Sequence, residues 1–313
     1  MSLAMAKPAE TSTTRALRVT VLAGGPSAER AVSLESGAAV AAALRRQGHT
    51  VHQADISPDN LHALDRPADV VFPALHGTFG EDGQLQALLE DRGIPFVGSG
   101  SSASRLAMDK IATKQRAMAL RIATPAYAVV SHDRVDGELP PGECVLKPPA
   151  EGSSVDTYIA RTPADRDQIA AGLLERHSSV LVESFVRGSE ITIGIFAGRA
   201  LPAIRIVPKR TFYNYEAKYA ADDTEYRFDT GLSDDALQRL AADSLKLFDD
   251  LGCRHLARVD WIVDHDETPW LLEINTLPGF TSHSLLPKAA ANAGVPFDEL
   301  VDQLVRLAVK ESS

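Results

Sequence analysis

Two cysteines in 313 residues, Cys144 and Cys253, are too few and too far apart for a disulfide framework or a thiolate metal site. Both lie in apolar stretches, which suits a reducing compartment. No stretch approaches the ~18 uninterrupted apolar residues of a membrane span. The opening MSLAMAKPAETSTTRA has no signal-peptide core and reads as a disordered leader over 1–16. Basic residues number 32 against 42 acidic ones, a net charge of −10. That balance speaks against general nucleic-acid binding, because phosphate backbones select basic surfaces. A few local lysines would still hold an anionic small ligand. No GK[ST] follows a glycine loop, and GxGxxG spacing is absent, so the two commonest nucleotide loops are missing. The reading is a cytosolic protein with no membrane segment.

What is present is enough chain for two or three domains, with 44% hydrophobic residues. An apolar run at 17–23, a Gly-Gly turn and SLESGAAVAAALRRQGH predict strand, turn and helix. Further strands are expected at 50–55, 68–75 and 94–98, with a helix at 83–93. This alternation predicts a parallel α/β domain over 17–109. A single helix over 102–121 leads out of it. CVLKPPAEGSSVDTYIA (144–160) reads as strand, loop, strand, and 179–201 as two strands, giving a small α+β lobe over 110–200. The remainder, 201–313, holds a loop rich in Tyr, Lys and Asp (209–223), a helix, two long strands and closing helices.

The two long strands, LARVDWIVD and WLLEIN, flank HDETP and read as a hairpin. Side chains alternate with period two, so Arg258 and Asp260 share a face, as do Glu273 and Asn275. Antiparallel pairing around the turn puts Asp260 roughly opposite Glu273, and Arg258 opposite Asn275. Facing carboxylates repel. A hard cation such as Mg²⁺ would remove that cost, since it takes oxygen ligands. An Arg258–Glu273 salt bridge on a solvated face is the alternative.

Other segments have chemical potential and ordinary readings side by side. Lys147 leaves a strand before a Gly-Ser loop, where it would hold a phosphate or simply border a surface turn. Glu183, Val186 and Glu190 follow one another near a strand end, with carboxylates for ribose hydroxyls and backbone for a base edge. Solvated acids are the plain alternative. Glu29 and Ser33 stand near a helix start, where capping or anion binding is expected. His76 follows a strand whose carboxyl end should face a crevice. Lys218 and Tyr219 lie in the charged 209–223 loop, a lid or a solvated loop.

Taken in order, GGPSAER, ALHGTFGEDG, MDK, LKPPAEGSSV, EAKY, ARVDW and LLEINTLPGFTSHS closely resemble the motifs of the D-alanine–D-alanine ligases of the ATP-grasp superfamily. The match runs from about 18 to 310. The resemblance implies an open parallel-sheet, Rossmann-like N-terminal domain followed by a two-lobed ATP-grasp fold, with ATP between the central and C-terminal lobes. It implies that ATP phosphorylates one D-alanine carboxylate and that the amine of a second D-alanine displaces the phosphate. Asp260, Glu273 and Asn275 would hold two Mg²⁺ (or Mn²⁺) ions. Lys110 and Lys147 would contact the ATP phosphates and Lys218 the transferring group. Glu183 and Val186 would read adenine, and Glu190 the ribose. Glu29, with His76 nearby, would bind the first D-alanine, and Ser284 the carboxylate of the second. Arg258 and the Gly279 N–H would stabilise the oxyanion, and Ser153 and Tyr219 would link with Glu29 on closure. The small residues after Asn275 would let backbone donors approach the dipeptide. A homodimer is implied as well.

The chain departs from the family pattern at Ala31, Ser184, Asp156 and Lys288. These stand in place of a glutamate, a lysine, a glycine and an apolar residue. The rival readings are a D-alanine–D-lactate ligase, which the Tyr219 loop disfavours, and a nucleotide-binding module without catalysis, which would have no need of an oxyanion donor at Arg258.

Overall fold

The computed structural model describes residues 15–152, 156–208 and 224–311. The leader (but for its last two residues), Ser153, Lys218, Tyr219 and the proposed lid at 209–223 lie outside the described residues.

The N-terminal part alternates as the pattern predicts. Its elements are β1 (Arg18–Ala23), α1 (Arg30–Arg46), β2 (Thr50–Asp55), β3 (Val70–Pro73) and α2 (Gln84–Asp91). The strands form a parallel sheet in the order β2-β1-β3. The strand expected at 94–98 is reduced to a single parallel bridge, Phe96 beside Val71. Val71 N donates to Pro95 O and Val97 N to Val71 O, and the ladder stops there. Pro95 has no N–H to extend it.

The helix expected over 102–121 is two helices, α3 (Ser101–Met108) and α4 (Lys110–Ala119). Asp109 breaks them apart. Its backbone is extended, and its carboxylate caps α4 by accepting from Ile111 N and Ala112 N. An aspartate prefers that role to a helix interior. The break leaves Lys110 at the first position of α4.

The chain then builds β4 (Tyr127–Ser131), β5 (Val135–Asp136), β6 (Cys144–Lys147), β7 (Tyr158–Ala160), α5 (Pro163–Leu174) and β8 (Ser179–Ser184). These strands make an antiparallel sheet, β5-β4-β8-β6-β7. Next come β9 (Ser189–Phe196), β10 (Arg199–Ala200), β11 (Ile204–Pro208), β12 (Thr224–Arg227), α6 (Asp234–Asp250), β13 (Leu256–Val263) and β14 (Pro269–Asn275). They form a second antiparallel sheet, β12-β11-β9-β13-β14, with β10 on β9. Sheet membership therefore changes between Ser184 and Ser189, inside the stretch expected to be one strand pair of the central lobe. β9 pairs with β13 over eight residues, and that long ladder assigns it to the second sheet.

Helices α7 (Leu285–Asn292) and α8 (Phe297–Glu311) close the chain. Ile191, Ile193, Ile195, Ala257, Val259 and Trp261 point from the second sheet into a core shared with α6, α3 and α4. Alternation turns Glu190, Thr192, Arg258 and Asp260 to the opposite face. Another core joins Val19, Val21 and Phe72 of the N-terminal sheet to α7 and α8. It fixes the carboxyl ends of the N-terminal strands beside the loop that follows β14.

Candidate active site

β13 and β14 pair with Arg258 opposite Asn275 and Asp260 opposite Glu273, the register expected from the sequence. The register then shifts, since Trp261 is opposite Leu271. Leu272 is the extra residue of a β-bulge. A strict period of two would put Leu271 and Glu273 on one face. The bulge lets Leu271 enter the core while Glu273 faces the cleft.

Arg258 does not bridge to Glu273, the alternative considered for this face, through any described contact. Its Nε donates to Asp260 Oδ1 at 2.9 Å and its Nη2 to Oδ2 at 2.8 Å. Thr192 Oγ1 donates to the same Oδ1 at 2.7 Å. Glu273 Oε2 lies 3.2 Å from Lys110 Nζ, which also donates to Glu151 O at 2.6 Å. Asn275 Oδ1 accepts from Leu277 N at 2.9 Å and begins the turn of the following loop. Asp260, Glu273 and Asn275 thus offer oxygens only, on one face, with two carboxylates directly opposed. Hard oxygen donors of this kind fit a divalent cation such as Mg²⁺. The His/Cys/Asp/Glu trio that converges most closely among the described residues, Asp264–His265–Asp266, is elsewhere, in the largely exposed β13–β14 turn.

A cavity of about 540 Å³ opens between the two antiparallel sheets. One wall comes from Lys147, Glu183 and the 184–190 segment, the other from Ile206, Asp260, Ile262 and Glu273. Lys110, Val186 and Glu190 line it too. Glu183 is fully buried, and its carboxylate meets two ammonium groups. Lys147 Nζ lies 2.5 Å from Oε2 and Lys114 Nζ 2.5 Å from Oε1. Burial opposes its ionisation, yet Lys147 and Lys114 hold Glu183 below the usual carboxylate range. Lys114 was not singled out from the sequence. Its signal was the spacing Lys110–Lys114, one helical turn, but lysines so spaced usually mark a solvated face.

A second recess, about 50 Å³, joins Glu29, His76, Gly152, Arg258, Asn275 and Gly279. Glu29 is buried just before α1, and a Cβ on Gly77 or Gly152 would come within 3.2 or 3.3 Å of its Oε2. His76 is buried with Nδ1 3.9 Å from Glu81 Oε1. Burial disfavours its charged form, but Glu81 and then Glu29 outweigh burial and raise its pKa above the ordinary histidine value. Glu81, in the same HGTFGEDG stretch, also accepts from Gly77 N at 2.7 Å and was not singled out. Gly279 has no room for a side chain, since a Cβ would sit 2.7 Å from Ser284 Oγ. Ser284 precedes α7, and its Oγ accepts from Thr281 N at 2.9 Å. Arg258, Asp260, Gly279 and Ser284 meet again at a smaller recess of about 40 Å³.

Asp156 takes φ +54°, which explains why a glycine is usual there. Its carboxylate accepts from Arg176 Nη1 at 2.7 Å and contacts His177 Nε2 at 2.9 Å, tying this turn to the end of α5. Ser184 N donates to Ala126 O, so its backbone is engaged whatever the side chain. Ala31 is exposed on α1 and does not line the recess. Lys288 Nζ donates to Ser282 O and stands over the Tyr226 ring.

The chain matches known proteins along most of its length. The family model for the D-ala D-ala ligase C-terminus matches residues 138–306, and that for the D-ala D-ala ligase N-terminus matches 56–99. The chain is 44% identical over 293 residues to the D-alanine–D-alanine ligase of Syntrophotalea carbinolica, covering 92% of this chain and 95% of the other. It is 44% identical over 296 residues to that of Marinobacter nauticus, covering 92% and 90%. In structure it is similar to the D-alanine–D-alanine ligase of Bacillus anthracis complexed with ATP. That match has a TM-score of 0.82 at 30% identity and covers 95% of this chain and 99% of the other.

Proposed function

The chain belongs to the D-alanine–D-alanine ligase family and is an ATP-dependent ligase that forms D-alanyl-D-alanine, and we propose the following division of labour among its residues. One observation carries the assignment: the β13–β14 register, which sets Asp260 and Glu273 in the wall of the cavity that Lys147 enters from the other sheet, with Arg258 and Asn275 in the adjoining recess.

ATP lies in the 540 Å³ cavity, with its base against the 184–188 segment. Glu183 holds two lysines, and it lines the cavity beside the segment that faces the adenine edge. The Val186 backbone reads the base, and Glu190 takes the ribose. Lys110 and Lys147 meet phosphate oxygens, joined by Lys218 and Ser153. Asp260, Glu273 and Asn275 would hold Mg²⁺ or Mn²⁺ ions, two in number, which supply charge neutralisation for phosphoryl transfer when bound.

The first D-alanine places its ammonium against Glu29, near His76. One of its carboxylate oxygens attacks the γ-phosphorus, and the bond to the ADP oxygen breaks. The resulting acyl phosphate carries a good leaving group, which a free carboxylate lacks. The second D-alanine is held by its carboxylate at Ser284, and its amine nitrogen attacks the acyl carbon. The developing oxyanion is met by Arg258 and the Gly279 N–H. Phosphate departs, the nitrogen loses its proton, and the peptide remains. The family resemblance assigns Tyr219 and Ser153, which lie outside the described residues, a link with Glu29 on closure. The active form is a homodimer in the cytoplasm, and the resemblance to the family supports this.

The test is phosphate release from ATP and Mg²⁺ with D-alanine, L-alanine, D-alanine plus D-lactate, or no acceptor, with products identified by mass. D-alanine alone should stimulate release and yield the dipeptide, and chelation of the cation should abolish it. A D-alanyl-D-lactate product in preference to the dipeptide would overturn the choice of second substrate. Release that no amino acid stimulates would overturn the roles of Glu29 and Ser284.

A further inference from the structure

Lys114 is wholly buried, yet none of the chemistry above uses it. Its ammonium is 2.5 Å from Glu183 Oε1, 2.5 Å from Thr124 Oγ1 and 5.4 Å from the centre of the Tyr127 ring. Thr124 Oγ1 in turn donates to Leu271 O at 2.9 Å, and Leu271 N donates to Ala123 O at 2.8 Å. Leu271 belongs to β14, two residues before Glu273. Glu183 belongs to β8, beside the β6 strand that carries Lys147. One buried ammonium therefore stands where the two sheets flanking the cavity are joined.

A buried charge is costly unless its partners compensate it, and an apolar side chain would pack the same volume without that cost. The charge count at this spot suggests what the lysine provides. Glu183 has two oxygens, and each meets one ammonium. Were Lys147 its sole partner, the pair would be neutral and would attract phosphate oxygens weakly. With Lys114 behind, the cluster of two ammonium groups and one carboxylate keeps a net positive charge, and of the two lysines it is Lys147 that lines the cavity, beside Glu183.

We propose that Lys114 is a positioning residue for ATP: it occupies one oxygen of Glu183, so that Glu183 orients Lys147 without cancelling its charge. The proposal rests on the reading of this cavity as the nucleotide site. Burial pushes the Lys114 ammonium below its usual range, while Glu183 pulls it the other way and Lys147 adds to the lowering. The cluster thus behaves as one coupled unit, whose parts are separable only by paired substitutions.

The experiment is ATP binding to the full chain with Mg²⁺, for wild type, K114M, E183Q, K114M/E183Q and K147M. K114M should weaken ATP by about tenfold, in the range for coupled charged neighbours. Removing the carboxylate as well should restore part of the loss, because Lys147 then again carries an uncancelled charge although Glu183 no longer orients it. A purely structural lysine would show no such rescue. In turnover, KM for ATP should rise in K114M while KM for D-alanine holds. Should K114M fail to fold, K114Q keeps length and polarity without charge and takes its place. Wild-type affinity in the charge-removing variant, or a double variant that binds no better than the single, would overturn the proposal. K147M binding ATP as tightly as wild type would instead overturn the nucleotide reading beneath it.

Discussion

Arg258 shows how one side chain is given two duties. Its guanidinium puts two donors on Asp260 and still borders the recess shared by Gly279 and Ser284. Arg258→Ala should lower turnover about 100- to 1,000-fold, the usual loss for one oxyanion donor. Nucleotide affinity should stay near wild type, because Thr192 still holds Asp260. Single-turnover phosphate release beside an ATP titration separates the two, and equal weakening of both would mean that Arg258 holds nucleotide. Gly279 makes a steric case instead. Gly279→Ala would drive a methyl against Ser284 Oγ. KM for the acceptor D-alanine should rise while ATP affinity holds, and a change in ATP affinity alone would contradict the placement of Gly279 beside the second substrate. The residue types at these positions could be read from the chain, but the hand-off of Glu183 to two lysines could not. It depends on α4 and β8 meeting, which no local pattern encodes.

Among elements, the division at Asp109 and the bulge at Leu272 matter most. A helix running through 109 would carry Lys110 on a different turn. The aspartate cap starts a new helix there, and Lys110 N also donates to Pro149 O at 2.9 Å. Asp109→Ala should cost about 1 kcal/mol of stability, as for other N-cap losses. Urea unfolding measures that cost, and KM for ATP should rise with it as Lys110 loses its fixed origin. Unchanged stability would show that the break is maintained by packing alone. Period-two alternation put Arg258 with Asp260 and Glu273 with Asn275 on shared faces, and the register from Arg258 to Asp260 sets these pairs opposite each other. It could not show the bulge that follows, because an extra residue in one strand is set by what its partner strand and the core demand.

At the scale of the whole molecule, α8 binds the N-terminal part to the catalytic sheets. Arg46 pairs with Asp298, His49 with Asp302, and His255 Nε2 with Glu311 at 2.9 Å. His255 Nδ1 accepts from Gly98 N at 3.0 Å, so the ring is neutral there with its proton on Nε2. Burial lowers its pKa below the ordinary 6.5, against the pull of Glu311. A histidine whose folded pKa is depressed contributes stability that is present above its unfolded pKa and is lost as pH falls through the folded one. Wild type should therefore lose stability as pH drops below about 6.5. His255→Asn should be less stable at neutral pH and less sensitive to acid. Denaturant midpoints at neutral and mildly acidic pH check this, and parallel acid losses in both proteins would exclude His255 as the source.

The sequence by itself determined the class of fold, the order of the segments and the residue types of the catalytic face, because period and turn chemistry are local properties of a chain. It marked Asp260 and Glu273 as partners across one hairpin, but the register at the turn, Val263 opposite Pro269, reaches that pairing only through the bulge at Leu272. Tertiary structure alone decided that β9 joins the second sheet, that Leu271 turns inward while Glu273 turns to the cleft, and that Lys114 is buried behind Glu183. Each of these depends on contacts between segments far apart in sequence, where the burial of apolar area and the pairing of charge are settled jointly by both partners.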